Sequence, residues 1–140
     1  MNIRFHFTSK ITLRERKRLK AFLLTISQTE GKSLDSLDII FCSDEKLLEI
    51  NQAYLHHDYY TDIITFDLRP NHQLPIQGEL YISTDRVKEN ASTLDQKINF
   101  ELHRVIFHGL LHLCGYKDKK PADKIQMTLK ENEYLSAYFK

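Results

Sequence analysis

The order of patterns along the chain predicts an α+β fold, with helices packed on a small four-stranded mixed sheet. Four short runs have strand character and alternate with segments of helical period, and after residue 83 the chain turns wholly helical. From Ile98 to Cys114 apolar residues occupy the whole helical circumference instead of one stripe, so this segment is expected to be a central, mostly buried helix. At 140 residues, 41% hydrophobic and 28% charged, with no repeat, linker or low-complexity stretch, residues 1–140 fit one domain with one core.

Residues 2 to 8 set Ile3, Phe5 and Phe7 against Arg4 and His6, the period of a half-buried strand. Thr12, with Glu15 three residues on, has the form of a capping box. It would open an amphipathic helix with Leu13, Leu19, Phe22, Leu23 and Ile26 inside and Arg14, Arg16, Lys17, Arg18 and Lys20 outside. Such a basic face ordinarily serves solubility, with RNA contact as the sharper reading. After a polar turn around Gly31, Leu37 and Ile39 to Cys42 form a buried strand bounded by Asp35 and Asp44. Ser43 or Asp44 can cap the next helix, whose Leu47, Leu48, Ile50 and Tyr54 make a stripe ending near Leu55.

His56-His57-Asp58-Tyr59-Tyr60 reads as a polar, aromatic loop, and the β-branched run Thr61 to Phe66 as a third strand. Arg69 to Pro75 is loop by its prolines, Gly78 to Ser83 is the fourth strand, and Ser83 or Thr84 caps a short polar helix to about Leu94. Beyond the central helix, Lys117 to Pro121 reads as a turn. Asp123 then opens a last helix carrying Ile125, Met127, Leu129, Tyr134, Leu135, Tyr138 and Phe139.

Twenty basic and nineteen acidic residues leave a formal net charge of +1, so any polyanion has to be held locally, and neither DNA nor a membrane is an expected partner. Cys42 and Cys114 are too few for a disulfide framework, which makes a reducing cytoplasm the expected compartment. After Met1, Asn-Ile-Arg-Phe-His-Phe has no basic start leading into an apolar run, and no segment has the length of a membrane span.

The chemistry concentrates between His108 and Asp118. His108 and His112 lie about one turn apart on one helical face, so both imidazoles can reach one ion. Gly115 suits the left-handed conformation that stops a helix and reverses the chain, which brings Asp118 back to the pair. A histidine pair at this spacing also arises by chance as hydrogen-bonded core residues. The glycine at the stop position and the carboxylate three residues later shift the weight to a metal centre of His108, His112 and Asp118. Tyr116 and Lys117 coordinate poorly at neutral pH, one being a phenol with a pKa of about 10 and the other a cation. Three protein ligands leave the fourth position of a zinc ion open, and a water there can become hydroxide near neutral pH. One divalent ion is expected; zinc suits these donors best, and nickel, iron or manganese are also compatible.

The spacing matches the metzincin pattern H-E-x-x-H-x-x-G-x-x-H, but Gly109 stands where that pattern carries its glutamate base, so peptide hydrolysis is not expected. Proton transfer has to come from elsewhere, or the ion acts mainly as a Lewis acid. Asp62 and Glu79 are the first candidates, against their ordinary roles as strand-end caps or solvated charges, and no catalytic side chain is assigned beyond water on the ion. Lys117, Lys119 and Lys120 flank Asp118 and make a small positive patch suited to phosphate, or else a solvated turn. His56 and His57 on the loop, and His103 off the face of His108, are expected to be surface or structural residues.

On these residues the chain resembles the YbeY family, bacterial endoribonucleases implicated in rRNA maturation and ribosome quality control. Asn51-x-x-Tyr54, Thr61 to Phe66, Gly78 to Ser83 and His108 to Asp118 occur in the family's order and span nearly the whole chain. The resemblance implies an α+β fold with a four-stranded sheet, a zinc-like ion in a helical cleft, and hydrolysis of single-stranded or precursor rRNA phosphodiesters. The implied partners are rRNA precursor and the ribosome or its proteins. The family's motif usually ends H-G-x-L-H-L-x-G-Y-D-H, with a third histidine where Asp118 stands. It also carries an arginine after the tyrosine of N-x-x-Y-R, thought to serve catalysis, where this chain has Leu55. His56, His57 or a motif lysine would have to supply that charge. The missing arginine favours the alternative function, a ribosome-associated binding factor whose metal site is structural.

Overall fold

Alternation builds the sheet. The computed structural model describes residues 2–57 and 60–140, so Asp58 and Tyr59 of the expected loop lie outside the described residues. Among the described residues the strands are β1 (Asn2–Phe7), β2 (Leu34–Cys42), β3 (Ile63–Asp67) and β4 (Ile76–Ser83). The helices are α1 (Arg16–Thr29), α2 (Asp44–Leu55), α3 (Thr84–Thr93), α4 (Ile98–Leu113) and α5 (Pro121–Tyr138). The strand order is β1-β2-β4-β3; β1, β2 and β4 run parallel, and β3 pairs antiparallel to β4 at the edge, a mixed sheet as expected.

Because side chains alternate across a strand, the register sorts residues into two faces. Phe5, Ile39, Leu80 and Thr65 share one row, and His6, Ile40, Tyr81 and Ile64 form the neighbouring row on the other face. The first face packs into the main core with α1, α4 and α5, while Ile64 and Cys42 of the second meet Leu47 and Ile50 of α2. The central helix is as buried as its unstriped sequence requires: Leu102, Ile106, Phe107, Leu110 and Leu111 are fully covered. Gly109 faces the sheet so closely that a Cβ there would stand 2.7 Å from Ile63 Cδ1 and 2.8 Å from Leu80 Cδ2. A side chain at that position would have to displace the ends of Ile63 and Leu80.

Two helix starts differ from the sequence reading. The capping box at Thr12 does not form: α1 begins at Arg16, after Glu15 in a left-handed conformation (φ 50°) without a side-chain cap. The preceding segment is tied elsewhere, with Thr8 N–H and Ser9 N–H donating to the Phe41 carbonyl and the Ser9 hydroxyl bonded to that of Thr84. Leu13 enters the core from this connection, 6% exposed, and not from a helix. The last helix starts at Pro121 and not at Asp123, since proline's missing N–H costs nothing in the first turn. The predicted serine caps are present: the Ser43 and Ser83 hydroxyls accept from Lys46 N–H (3.2 Å) and Arg86 N–H (3.1 Å). Cys42 and Cys114 are buried free thiols, their pKa pushed up by burial to about 11. Among the described residues no helix is long and apolar enough to cross a membrane.

Candidate metal centre

The site forms where α4 stops. Gly115 takes a φ of 110°, and the Gly115 and Tyr116 N–H groups close the helix end on the carbonyls of His112 and Leu111. The reversed chain delivers Asp118, whose Oδ2 lies 3.2 Å from both His108 Nε2 and His112 Nε2. The two imidazoles stand 4.6 Å apart at 84°. The three donor atoms fall within 4.8 Å of one another, so the predicted trio is brought together as a group able to hold an ion.

The other ring nitrogens decide what that group can do. His112 Nδ1 meets the Tyr116 carbonyl at 2.9 Å; a carbonyl only accepts, so Nδ1 is the donor of that bond and Nε2 is the nitrogen that faces Asp118. His108 Nδ1 lies 2.6 Å from Oε2 of buried Glu131, whose Oε1 accepts from Arg104 Nη1 at 2.8 Å. Burial works against a charge on His108, but hydrogen bonding and attraction to Glu131, with smaller help from Asp118 and Asp62, outweigh it and raise its pKa. Carboxylate and carbonyl acceptors behind two imidazoles are the usual outer support of a metal-binding histidine. Donors about 2 Å from a tetrahedral ion stand about 3.3 Å apart, which the 3.2 Å separations of Asp118 from both rings match.

The centre opens into a cleft of about 540 Å³, bounded by Asn51, Leu55, His57, Asp62, Thr65 and Lys119 among others. Asp62 is half-buried there, its carboxyl pKa raised by burial against the pull of His108. Glu79 takes no part: it lies on the other face of β4 and lines a separate cavity. Lys119 borders the cleft, whereas Lys117 and Lys120 are exposed and fall outside its lining among the described residues. His57 also borders it, and His56 ends α2 in a left-handed conformation. His103 is structural, fully buried, bonded through Nδ1 to the Asn99 carbonyl and stacked on Tyr138.

Two supports escaped the sequence reading. Glu131 carries a signal after the fact: it lies at helical spacing from Met127 and Leu135, a carboxylate in a buried stripe. Arg69, read as loop, has a side chain only 3% exposed. It donates to Asp67 and, at 2.8 Å, to the Leu113 carbonyl, placing a cation at the C-terminus of α4. No local pattern announces that contact.

Fold and donor set together define a class: a small α+β protein whose central helix and following turn present two imidazoles and a carboxylate with a fourth side left open. Residues 4–139 match the family described as Endoribonuclease YbeY, and the chain belongs to the YbeY family. It is 48% identical over 134 residues to Endoribonuclease YbeY of Cytophaga hutchinsonii, covering 94% of this chain and 92% of that one. It is 47% identical over 122 residues to the protein of the same name from Parabacteroides distasonis, covering 87% of this chain and 84% of that one. The solution structure of TM1509 from Thermotoga maritima superimposes with a TM-score of 0.67 at 26% identity, covering 99% of this chain and 89% of that one.

Proposed function

We propose that the chain is a metal-dependent endoribonuclease that cuts single-stranded segments of rRNA precursors in the cytoplasm, holding one divalent ion, zinc by preference, on His108, His112 and Asp118. The observation that carries the reading is the convergence of both Nε2 atoms on Asp118 while both Nδ1 atoms are held from behind. The relatives' printed name, endoribonuclease, supplies the substrate class.

A divalent ion supplies Lewis acidity toward a phosphodiester oxygen and makes water acidic enough to attack near neutral pH. The protein does the rest. Glu131 and the Tyr116 carbonyl favour one tautomer and restrain ring orientation before an ion binds. Asp62, a half-buried carboxylate in the cleft lining, is our candidate to take the proton from the attacking water, and burial raises its pKa toward the range where a base is effective. Lys119 and His57, both in the cleft lining, are the candidates to replace the arginine whose place Leu55 fills. Exposed Lys117 and Lys120 add longer-range attraction for phosphate. Leu55, an apolar wall in the cleft, favours a second reading in which the protein binds ribosomal RNA or ribosomal proteins without cutting.

The two readings part in one experiment. Protein purified without a metal-binding tag is assayed for metal content and for cleavage of precursor rRNA before and after chelation and zinc readdition, beside Asp62→Asn. The nuclease reading expects about one ion per chain, cleavage that follows the metal, and a loss on the order of 100-fold in Asp62→Asn with metal uptake kept. Full metal uptake with no cleavage establishes the binding factor, and an Asp62→Asn variant as fast as wild type removes Asp62 from the mechanism.

A further inference from the structure

Tyr54 and Glu79 stand in the two motifs that the metal centre leaves unused, and both line a second cavity of about 370 Å³. The two cavities lie on opposite sides of α2 and of the edge strand β3 and, among the described residues, have no lining residue in common. α2 turns Asn51 and Leu55 toward the metal cleft and Ile50 and Tyr54 toward this one, while β3 gives Thr65 to the cleft and Phe66 to the cavity. Its aromatic side is built from rings set edge to face: Tyr54 against Phe66 at 6.0 Å and 81°, and Phe66 against Tyr81 at 5.7 Å and 88°. Tyr54 is 70% exposed, a large aromatic face left to solvent. Half-buried Glu79 accepts one long bond from the Tyr81 hydroxyl at 3.4 Å and forms no ion pair among the described residues. Among the described residues Lys46, the cation of the cavity, pairs with exposed Glu49, at 3.7 Å.

The geometry points to a nucleobase subsite: the cavity receives one base of a single-stranded RNA whose chain continues around the edge strand β3 to the metal cleft, walled by Tyr54, Phe66 and Tyr81, with Glu79 on the base edge and Lys46 toward its phosphate. The assignment rests on the RNA-cleaving reading above. Every base has a face that stacks on an aromatic ring, so the rings supply affinity without choosing a sequence. Glu79 supplies the choice. An ionised carboxylate only accepts, so it pairs with the exocyclic amino group of cytosine, adenine or guanine, whereas uracil offers only its ring N3–H between two carbonyls that the carboxylate repels. The charges also select the class of occupant: one carboxylate and one ammonium suit a ligand with a donor edge and a phosphate. A lysine or arginine side chain would gain Glu79 but meet Lys46.

The test titrates CMP and UMP separately into the zinc-loaded full chain and follows the ring protons of Phe66 and Tyr81 by NMR, in wild type, Glu79→Gln and Tyr54→Ala. CMP should shift both rings and bind about tenfold more tightly than UMP. Glu79→Gln, whose amide donates as well as accepts, should shrink that preference to about twofold. Tyr54→Ala removes an exposed wall, leaves the core intact, and should weaken both nucleotides about tenfold. Rings that respond to neither nucleotide, equal binding of CMP and UMP in wild type, or rings moved by a lysine-rich peptide in place of nucleotides would each overturn the subsite. The ring response needs no cleavage, so its failure is separate from that of the nuclease reading: shifting rings without RNA cutting keep the subsite, and cutting with silent rings removes it.

Discussion

Asp118 is the donor on which the proposed centre would close, since His108 and His112 alone could hold only two adjacent positions on an ion. Asp118→Asn keeps size and turn propensity while removing the charge, and zinc titration should find affinity lowered about 10-fold or more. Asp118→His should retain binding, because an imidazole also reaches the two Nε2 atoms from the returning chain. Wild-type affinity in Asp118→Asn would reassign the carboxylate to the helix end. Glu131 is the positioning residue behind His108, at 2.6 Å, and is itself held by Arg104. Glu131→Gln should lower zinc affinity about 10-fold to 100-fold with little change in fold, because the amide oxygen still accepts from Nδ1 but carries no charge. Unchanged affinity with a shifted thermal midpoint would make Glu131 a packing residue only. The metal-capable trio was legible in sequence because its members lie within eleven residues of one another; Glu131, in another helix, was not.

Between elements, Glu30 at the end of α1 ties the turn after α4 to the last helix. Its Oε1 accepts from the Tyr116 hydroxyl at 2.7 Å, its Oε2 from that of Tyr134, and Lys130 stands 3.6 Å away. Burial alone would raise its pKa, but the bonds from Tyr134 and Tyr116 and the charge of Lys130 outweigh that and hold it below the ordinary value of 4.5. A carboxyl depressed in the folded state stabilises the fold above its unfolded pKa, and that stabilisation is lost as pH falls through the folded value. Urea midpoints followed from pH 7 downward should therefore show Glu30→Gln less stable than wild type near neutrality, with the gap closing only below about pH 4.5. A gap that is constant with pH would mean the glutamate acts by shape alone. Helix existence was legible from periodicity, and caps from serine next to an apolar stripe. The start of α1 was not, because the Phe41 carbonyl and the Thr84 hydroxyl that hold the preceding segment lie more than thirty residues away.

At the scale of the whole molecule, the site joins β3, α2, α4, α5 and the turn after α4, so binding an ion there should stabilise the entire fold. A ligand that binds only the native state adds RT ln(1 + [L]/Kd), about 4 kcal/mol at a thousandfold excess over Kd. Zinc should thus raise the thermal midpoint of wild type by several degrees and leave that of His112→Ala unmoved, as scanning calorimetry can check. Equal shifts in both would place the ion elsewhere. The sequence by itself determined the α+β class, the buried helix, the donor trio and the absence of a base at position 109, since all depend on period, spacing and residue type over short stretches of chain. The tertiary structure alone decided that Asp62 enters the cleft while Glu79 turns away, and that Lys119 borders it while Lys117 and Lys120 do not. It also placed Glu131 and Arg69 behind the site. The physical reason is that the face a strand residue takes is set by pairing register, and contacts across a core are set by how helices dock on the sheet. Neither is written in the spacing of neighbouring residues.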